Sequence, residues 1–135
     1  MSMTGTVREN KLCGELVRAL RLTLPQFVVF KHADLVTSGI PDISVTGLKR
    51  TLWLEVKFAN PGVIDRGIQA ATMKRLGRAG LAYYVIYSAG YDATYVCSPE
   101  QLERFHVNYV QVTRGYDHGA VVAFVKHELE SRCSN

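Results

Sequence analysis

Residues 40–58, IPDISVTGLKRTLWLEVKF, contain two strand-like runs on either side of a short connection. The runs are Ile40–Val45 and Thr51–Phe58, and both contain β-branched residues of the kind enriched in strands. The connection, Thr46–Arg50, contains a glycine and has a length that is common in β-hairpins. The stretch therefore predicts an antiparallel hairpin.

The second run of this hairpin has two chemically different faces. Side chains alternate between the faces of a strand, so Trp53, Glu55 and Lys57 share one of them. The other face carries Leu52, Leu54, Val56 and Phe58. A charged pair that interrupts such an apolar strand needs a reason, because burying charge is costly. One face is expected in the core, and the other is expected to carry chemistry.

The hairpin brings Asp42, from its first run, close to Glu55 and Lys57 in the second. Magnesium prefers hard oxygen ligands and is usually held by one or two carboxylates together with water and substrate phosphate. An ammonium group beside such a pair can orient an attacking water and offset the negative charge that builds on phosphorus. This combination of side chains predicts a metal site suited to phosphodiester cleavage.

Each of these residues also has a simpler interpretation. Asp42 after Pro41 is typical of a turn or a strand end. Glu55 and Lys57 would suit the solvated face of an edge strand. The coincidence of all three in one hairpin favours the metal site.

The rest of the chain reads as one α/β domain spanning residues 1–135, with a core over about 7–97 and a C-terminal elaboration over 98–135. The predicted order is helix, three strands, helix, two strands, short helix, strand and helix. The remaining bounds are about 7–24, 27–30, 64–79, 81–87, 93–97, 98–105 and 107–113. Residues 119–132 suit a helix, although the run Val121–Val125 would also suit a strand.

From about Glu9 to Tyr87, the chain resembles the PD-(D/E)xK nuclease superfamily and, within it, the VRR-NUC family. Ser38–Ile43 is similar to the G-x-P-D-hydrophobic signature of that family. Leu54–Lys57 is similar to its acid-x-Lys half, and Gln69 in the second helix is followed by Leu76 and Gly80.

The resemblance implies a restriction-endonuclease-like core, with a central mixed sheet flanked by helices. It implies that Asp42, Glu55 and the main-chain carbonyl of Val56 bind Mg²⁺ or Mn²⁺, that Lys57 assists the nucleophile, and that Gln69 supports the site. Stand-alone members, often viral, look like homodimeric enzymes that act on branched DNA, including four-way (Holliday) junctions. The expected partners are therefore branched DNA and a second copy of the chain.

The family commonly adds an acid from the first helix. Glu9 lies in phase with the apolar positions Leu12 and Leu16, whereas Glu15 lies off that stripe, so Glu9 is the preferred candidate. The alternative role for Glu9 is structural, because Thr6 followed three residues later by Glu9 is typical of an N-terminal capping box.

Basic residues exceed acidic ones by sixteen to twelve, a net charge of +4, which suits a polyanionic partner. Three groups stand out as a joint phosphate footprint, although each alone suits a solvated face. They are Lys11, Arg18 and Arg21; Lys49 and Arg50; and Lys74, Arg75 and Arg78. The histidines are scattered without ligand spacing, which disfavours a histidine-based metal or nucleophilic site.

The cysteines and the N-terminus suggest a compartment. Cys13, Cys97 and Cys133 are odd in number and far apart, which indicates a reducing environment. The start of the chain has no signal-peptide pattern, and the longest apolar run, Leu81–Tyr87, is too short to span a bilayer. A cytoplasmic protein is expected, and the resemblance also allows a viral origin with action in the host cytoplasm.

Two other classes of protein compete with a nuclease. A nucleic-acid-binding module that keeps the nuclease fold without cleaving would have no need of carboxylates facing a polyanion. A small-molecule enzyme is disfavoured, since the sequence has no glycine-rich phosphate loop and no nucleophile-base motif.

Overall fold

The computed structural model describes residues 2–32, 39–59 and 68–131. Its helices are α1 (Ser2–Thr23), α2 (Ile68–Ala79) and α3 (His118–Ser131), with a short 3-10 helix at Pro99–Arg104. Its strands are β1 (Val28–Lys31), β2 (Ile43–Gly47), β3 (Arg50–Phe58), β4 (Leu81–Ser88), β5 (Ala93–Cys97) and β6 (Gln111–Arg114). The predicted order of elements is confirmed. Ser38, the predicted start of the second helix at Ile64, and Cys133 lie outside the described residues.

The six strands form one mixed sheet in the order β1-β2-β3-β4-β5-β6. β3 and β4 run parallel, whereas the other neighbouring strands are antiparallel. A parallel pair requires a crossover connection, and α2 belongs to the one between β3 and β4. The expected α/β class, a central mixed sheet flanked by helices, is confirmed.

Each side of the sheet has its own core. α1 and α3 cover one side, which we call the α1 face, whereas α2 and the 3-10 helix cover the other, the α2 face. Leu52, Leu54 and Val56 are buried in the core of the α1 face. Trp53 packs against the core of the α2 face. The alternation predicted for β3 is confirmed, and it directs Glu55 towards the α2 face.

The hairpin of β2 and β3 closes through a tight turn. Leu48 and Lys49 have φ angles of 53° and 67°, a left-handed pair that characterises a two-residue type I′ turn. Gly47 precedes this turn, and a Cβ atom there would overlap the ring of Phe27. The hairpin is confirmed, but β2 begins only at Ile43, so Asp42 lies just outside the strand in which it was expected.

The first helix begins earlier than the sequence suggests. α1 starts at Ser2, so Thr6 and Glu9 lie inside the helix and the predicted capping box is wrong. The physical reason is that a capping box requires its Ser or Thr at the helix boundary, where backbone N–H groups have no helical partner. Glu9 therefore does not have the structural role that competed with a functional one.

The C-terminal third completes the core. Residues 118–131 form the helix α3, whose Val121, Val122 and Leu129 are buried on the α1 face. The backbone N–H of Ala120 donates to the Asp117 carboxylate at 2.9 Å, an N-terminal cap for this helix. Of the two structures that the sequence left open here, the helix is the one adopted.

None of the helices in the part of the chain that the structure describes combines the length and the hydrophobicity that crossing a membrane requires. Cys13 and Cys97 are both buried and free.

Candidate active site

Asp42 and Glu55 bridge two neighbouring chain segments in both directions. The Val56 N–H donates to Oδ2 of Asp42 at 2.9 Å. In return, the Asp42 N–H donates to Oε1 of Glu55 at 3.1 Å. Each carboxylate is thus oriented by the backbone beside the other acid, and the two carboxyl groups are close enough to hydrogen-bond. The first two predicted site residues are brought together at the start of β2 and the end of β3.

Lys57 lies next to this pair. Its Nζ is 3.7 Å from Oε2 of Glu55, and the side chains of Lys57 and Glu55 are 18% and 4% exposed. The ammonium group is therefore partly shielded from water, which strengthens its interaction with nearby negative charge. The third predicted residue joins the first two.

The main-chain carbonyl of Val56 points into the same space. In an extended strand, the N–H and C=O of one residue point to the same side, as antiparallel pairs that exchange both bonds show. The Val56 N–H is directed at Asp42, so its carbonyl oxygen also faces the side of β3 on which Asp42 lies. This arrangement agrees with the ligand role implied by the resemblance.

The ionised carboxylate of Asp42 lowers the stability of the folded protein. Burial raises the pKa of Asp42 above its ordinary value, although the Val56 N–H and the charge of Lys57 act in the opposite direction. When an acid has a higher pKa in the folded protein than in the unfolded chain, the folded protein loses stability as the pH rises. The loss is complete once the acid is ionised in both the folded and the unfolded state. Near neutral pH, the buried carboxylate of Glu55 and the half-buried one of Asp42 are therefore better satisfied by a cation than by each other.

The donor set fits a hard divalent ion. Carboxylate and carbonyl oxygens are the ligands that Mg²⁺ and Mn²⁺ prefer, and Mg²⁺ needs no more than one or two carboxylates when phosphate and water complete its shell. Over the described ranges, no group of three or more His, Cys, Asp or Glu side chains has the arrangement of a closed metal site. Asp42 and Glu55 would therefore form an open site that leaves positions for substrate.

Glu9 of the first helix shares one neighbour, Cys13, with this pair. The pKa of the Cys13 thiol is raised to about 12, mainly by burial, and the charges of Asp42, Glu55 and Glu9 contribute to this rise. Cys13 is therefore within electrostatic range of all three acids. Glu9 lies one helical turn before Cys13, on the same side of α1.

Glu15, the alternative acid, is occupied elsewhere. Its Oε1 lies 3.1 Å from Nε2 of His118, whose Nδ1 lies 2.7 Å from the buried Tyr87 hydroxyl. A carboxylate only accepts hydrogen bonds, so the imidazole donates to it. Glu15 therefore ties α1 to α3.

Gln69 lies in the first turn of α2 and is half-buried. Since α2 covers the α2 face, Gln69 is on the side of the sheet that carries Glu55 and Lys57. Its supporting role stays a prediction.

One cation near the site escaped sequence reasoning. Lys31 lies close enough to Asp42 to lower its pKa. It also lines an open groove between α1 and β1 with Arg18 and Arg21. The other lining residues are Gly14, Val17 and Leu22, so the described lining carries three cations and no acid. Alternation in β1, which puts Lys31 on the same face as buried Val29, was the signal available for it.

Arg21 has a second task in this groove. Its Nε and Nη2 donate to the carbonyl oxygen of Val29 at 3.3 and 2.9 Å. Val29 belongs to β1, which is at one end of the strand order of the described sheet and pairs with β2. The guanidinium has five N–H donors, so two bonds to Val29 leave three for other acceptors.

Comparison with models of known protein families and with curated proteins found no match to this chain.

Proposed function

We propose that this protein is a metal-dependent endonuclease that hydrolyses phosphodiester bonds in DNA. The observation that carries the proposal is the reciprocal bridge of Asp42 and Glu55, with the Lys57 ammonium 3.7 Å from Glu55. A structural ion pair would be satisfied by one acid and one base. A second, half-buried acid beside buried Glu55 is costly unless a cation joins them.

Each residue has a definite task in this proposal. Asp42, Glu55 and the carbonyl oxygen of Val56 would hold Mg²⁺ or Mn²⁺, which supplies charge neutralisation at the phosphate and activation of water. Lys57 orients the attacking water and stabilises the negative charge that grows on the phosphate oxygens during attack. Glu9 is the acid that α1 contributes at longer range, and Gln69 supports the site from α2.

The groove lined by Arg18, Arg21 and Lys31 supports the proposal that the substrate is a polyanion. These cations line a surface that begins at Lys31, beside Asp42, and continues along α1. Lys and Arg that neutralise phosphates supply most of the salt-dependent affinity of proteins for nucleic acid. A phosphate chain that reaches the carboxylates would have favourable contacts on this side.

The proposal is tested by assaying purified protein on linear, flapped and four-way DNA with Mg²⁺, Mn²⁺ or EDTA. We expect incision with either metal and none in EDTA, with branched DNA preferred. Glu55→Gln, purified in parallel, is the inactive comparison that excludes a contaminating nuclease, and Glu103→Gln is the matched change at an exposed acid. Tight DNA binding without incision by the wild-type protein would instead identify a non-catalytic binding module.

We also propose that the enzyme is a homodimer, as the resemblance implies. Resolution of a four-way junction needs two symmetric cuts, and a domain with one site supplies two through a two-fold axis. Of the C-terminal segments, α3 is taken up by the monomer core, whereas Val107, Val110 and Val112 before and within the edge strand β6 are exposed.

For this assembly we expect a dimer by light scattering at micromolar concentration, and paired nicks at symmetry-related positions of a four-way junction. A strict monomer that cuts flapped DNA equally well would contradict the dimer and leave the nuclease standing.

A further inference from the structure

The α2 face is only partly covered by α2. Among the described elements, this helix packs mainly on β4, while β1, β2 and β3 present side chains beyond it. The uncharged residues of β1, β2 and β3 that face this side and precede Glu55 in sequence are Val28, Phe30, Ser44, Thr46, Thr51 and Trp53. Phe30 is 57% exposed, a large apolar ring left in water at a sheet edge.

Three rings form a row across this surface, which we call the aromatic shelf: Phe30, His32 and Trp53. The ring centroids of Phe30 and His32 are 6.2 Å apart, and those of His32 and Trp53 are 5.5 Å apart. Nε2 of His32 lies 2.8 Å from Oγ of Ser44, a hydrogen bond that fixes the central ring. The two outer rings are tilted by 49° and 34° to this fixed central ring.

The shelf is continuous with the carboxylate pair at two points. Trp53 precedes Glu55 by two residues on the same face of β3, a separation of about 6.6 Å along a strand. The His32 N–H donates to the carbonyl oxygen of Asp42 at 2.7 Å. A group that rests on the shelf is thus about one nucleotide away from the site of proposed cleavage.

We propose that the aromatic shelf binds unpaired nucleotide bases next to the scissile phosphate. This inference rests on the proposed function and gives it a substrate class: nucleic acid with unpaired bases beside the cut. Bases stack on aromatic side chains regardless of sequence, because every base has a π-face. The bases of an intact duplex are already stacked on one another, so the shelf favours strands that are single or opened at a branch.

The surroundings favour nucleic acid over a second protein copy. Lys57 lies on the same face beyond Trp53, at the end of the shelf that adjoins the carboxylate pair. A cation beside an uncharged aromatic surface matches a strand whose phosphates alternate with bases.

Trp53 provides a direct test, because it is the single tryptophan of the chain. We expect its fluorescence to be quenched when the protein, in EDTA, is titrated with single-stranded oligothymidylate at low salt. Phe30→Ala should weaken this binding by about 5-fold to about 150-fold, the range expected when one stacked base is lost. Phe30→Tyr should retain it, since the ring remains.

The matched control is Tyr91→Ala, which removes another exposed ring that stacks on a histidine, His106, at 5.4 Å. This change should leave oligothymidylate affinity within about twofold of the wild type. Unchanged Trp53 emission at saturation, judged by anisotropy of labelled oligonucleotide, would overturn the proposal. Equal affinity of the wild type and Phe30→Ala for oligothymidylate would also overturn it. So would a wild-type dimer that becomes monomeric in Phe30→Ala while the affinity for oligothymidylate is unchanged.

The proposal of a base-binding shelf and the proposal of a nuclease can be disproved independently. Quenching and the loss of affinity in Phe30→Ala are measured in EDTA and need no cleavage. If both are observed while metal-dependent incision is absent, the base-binding shelf stands and the nuclease proposal falls. Incision without quenching would leave the nuclease standing and remove the shelf.

Discussion

Asp42→Asn is expected to reduce cleavage by roughly a thousandfold or more, while leaving the fold and most of the affinity for DNA intact. The substitution preserves volume, and the Asn amide oxygen can still accept the hydrogen bond that the Val56 N–H now donates to Asp42. It removes the charge needed to hold a divalent ion, and each tenfold loss of rate corresponds to about 1.4 kcal/mol in the barrier. Single-turnover cleavage of a labelled branched DNA measures the effect.

The same variant should melt at a higher temperature than the wild type in EDTA at neutral pH. Burial raises the pKa of Asp42, so the ionised carboxylate destabilises the folded protein above that pKa, and a neutral amide does not. Added Mg²⁺ should raise the melting temperature of the wild type and not that of Asp42→Asn.

Asp92→Asn is the matched control for both measurements. Its carboxylate is 71% exposed and lies 3.8 Å from Arg114, whereas Asp42 is half-buried. Full cleavage by Asp42→Asn, with contaminating nuclease excluded, would remove Asp42 from the active site.

Lys57→Met should lower turnover by about 100-fold to about 1,000-fold and weaken DNA binding far less. The methionine keeps most of the side-chain volume and removes only the charge, which acts where the transition state is more negative than the ground state. Single-turnover rates at saturating enzyme separate this effect from binding, and the slope of affinity against salt measures phosphate contacts.

Lys126→Met, at an exposed position of α3, provides the comparison for a lysine without a site role. If Lys57→Met cleaves normally at saturating enzyme but loses affinity and part of its salt dependence, Lys57 is only a phosphate contact.

The proximity of Asp42, Glu55 and Lys57 was predictable because its signal in the sequence is local. Alternation along one strand assigns Glu55 and Lys57 to one face, and a short connection places Asp42 opposite them. Both conclusions depend on residues fewer than twenty positions apart. The element order follows from the same kind of evidence.

Contacts over longer separations were beyond such reasoning. The parallel pairing of β3 with β4 depends on the crossover through α2, and the cationic groove depends on how α1 packs against β1. Periodicity assigns Lys31 a face but does not reveal which helix lies opposite. The start of α1 at Ser2 was missed because a plausible capping pair, Thr6 and Glu9, occurs inside the helix.

One feature that was missed, the cap of α3, could have been predicted from the sequence. Asp117 stands three residues before Ala120, whose N–H it accepts at the start of α3. An aspartate at that spacing favours a helix start and would have decided between helix and strand for the residues that follow.

The bond from Arg21 to Val29 also bears on how this protein behaves when crowded. A strand at the border of a sheet offers unpaired backbone groups on which other chains can grow, which is a common route to aggregation. Here a guanidinium already occupies the outward carbonyl at the middle of β1. An incoming strand would first have to displace a charged group, and two approaching molecules would each bring a positive charge to the contact. Arg21, which we propose as a phosphate contact, would thus also oppose polymerisation through this strand.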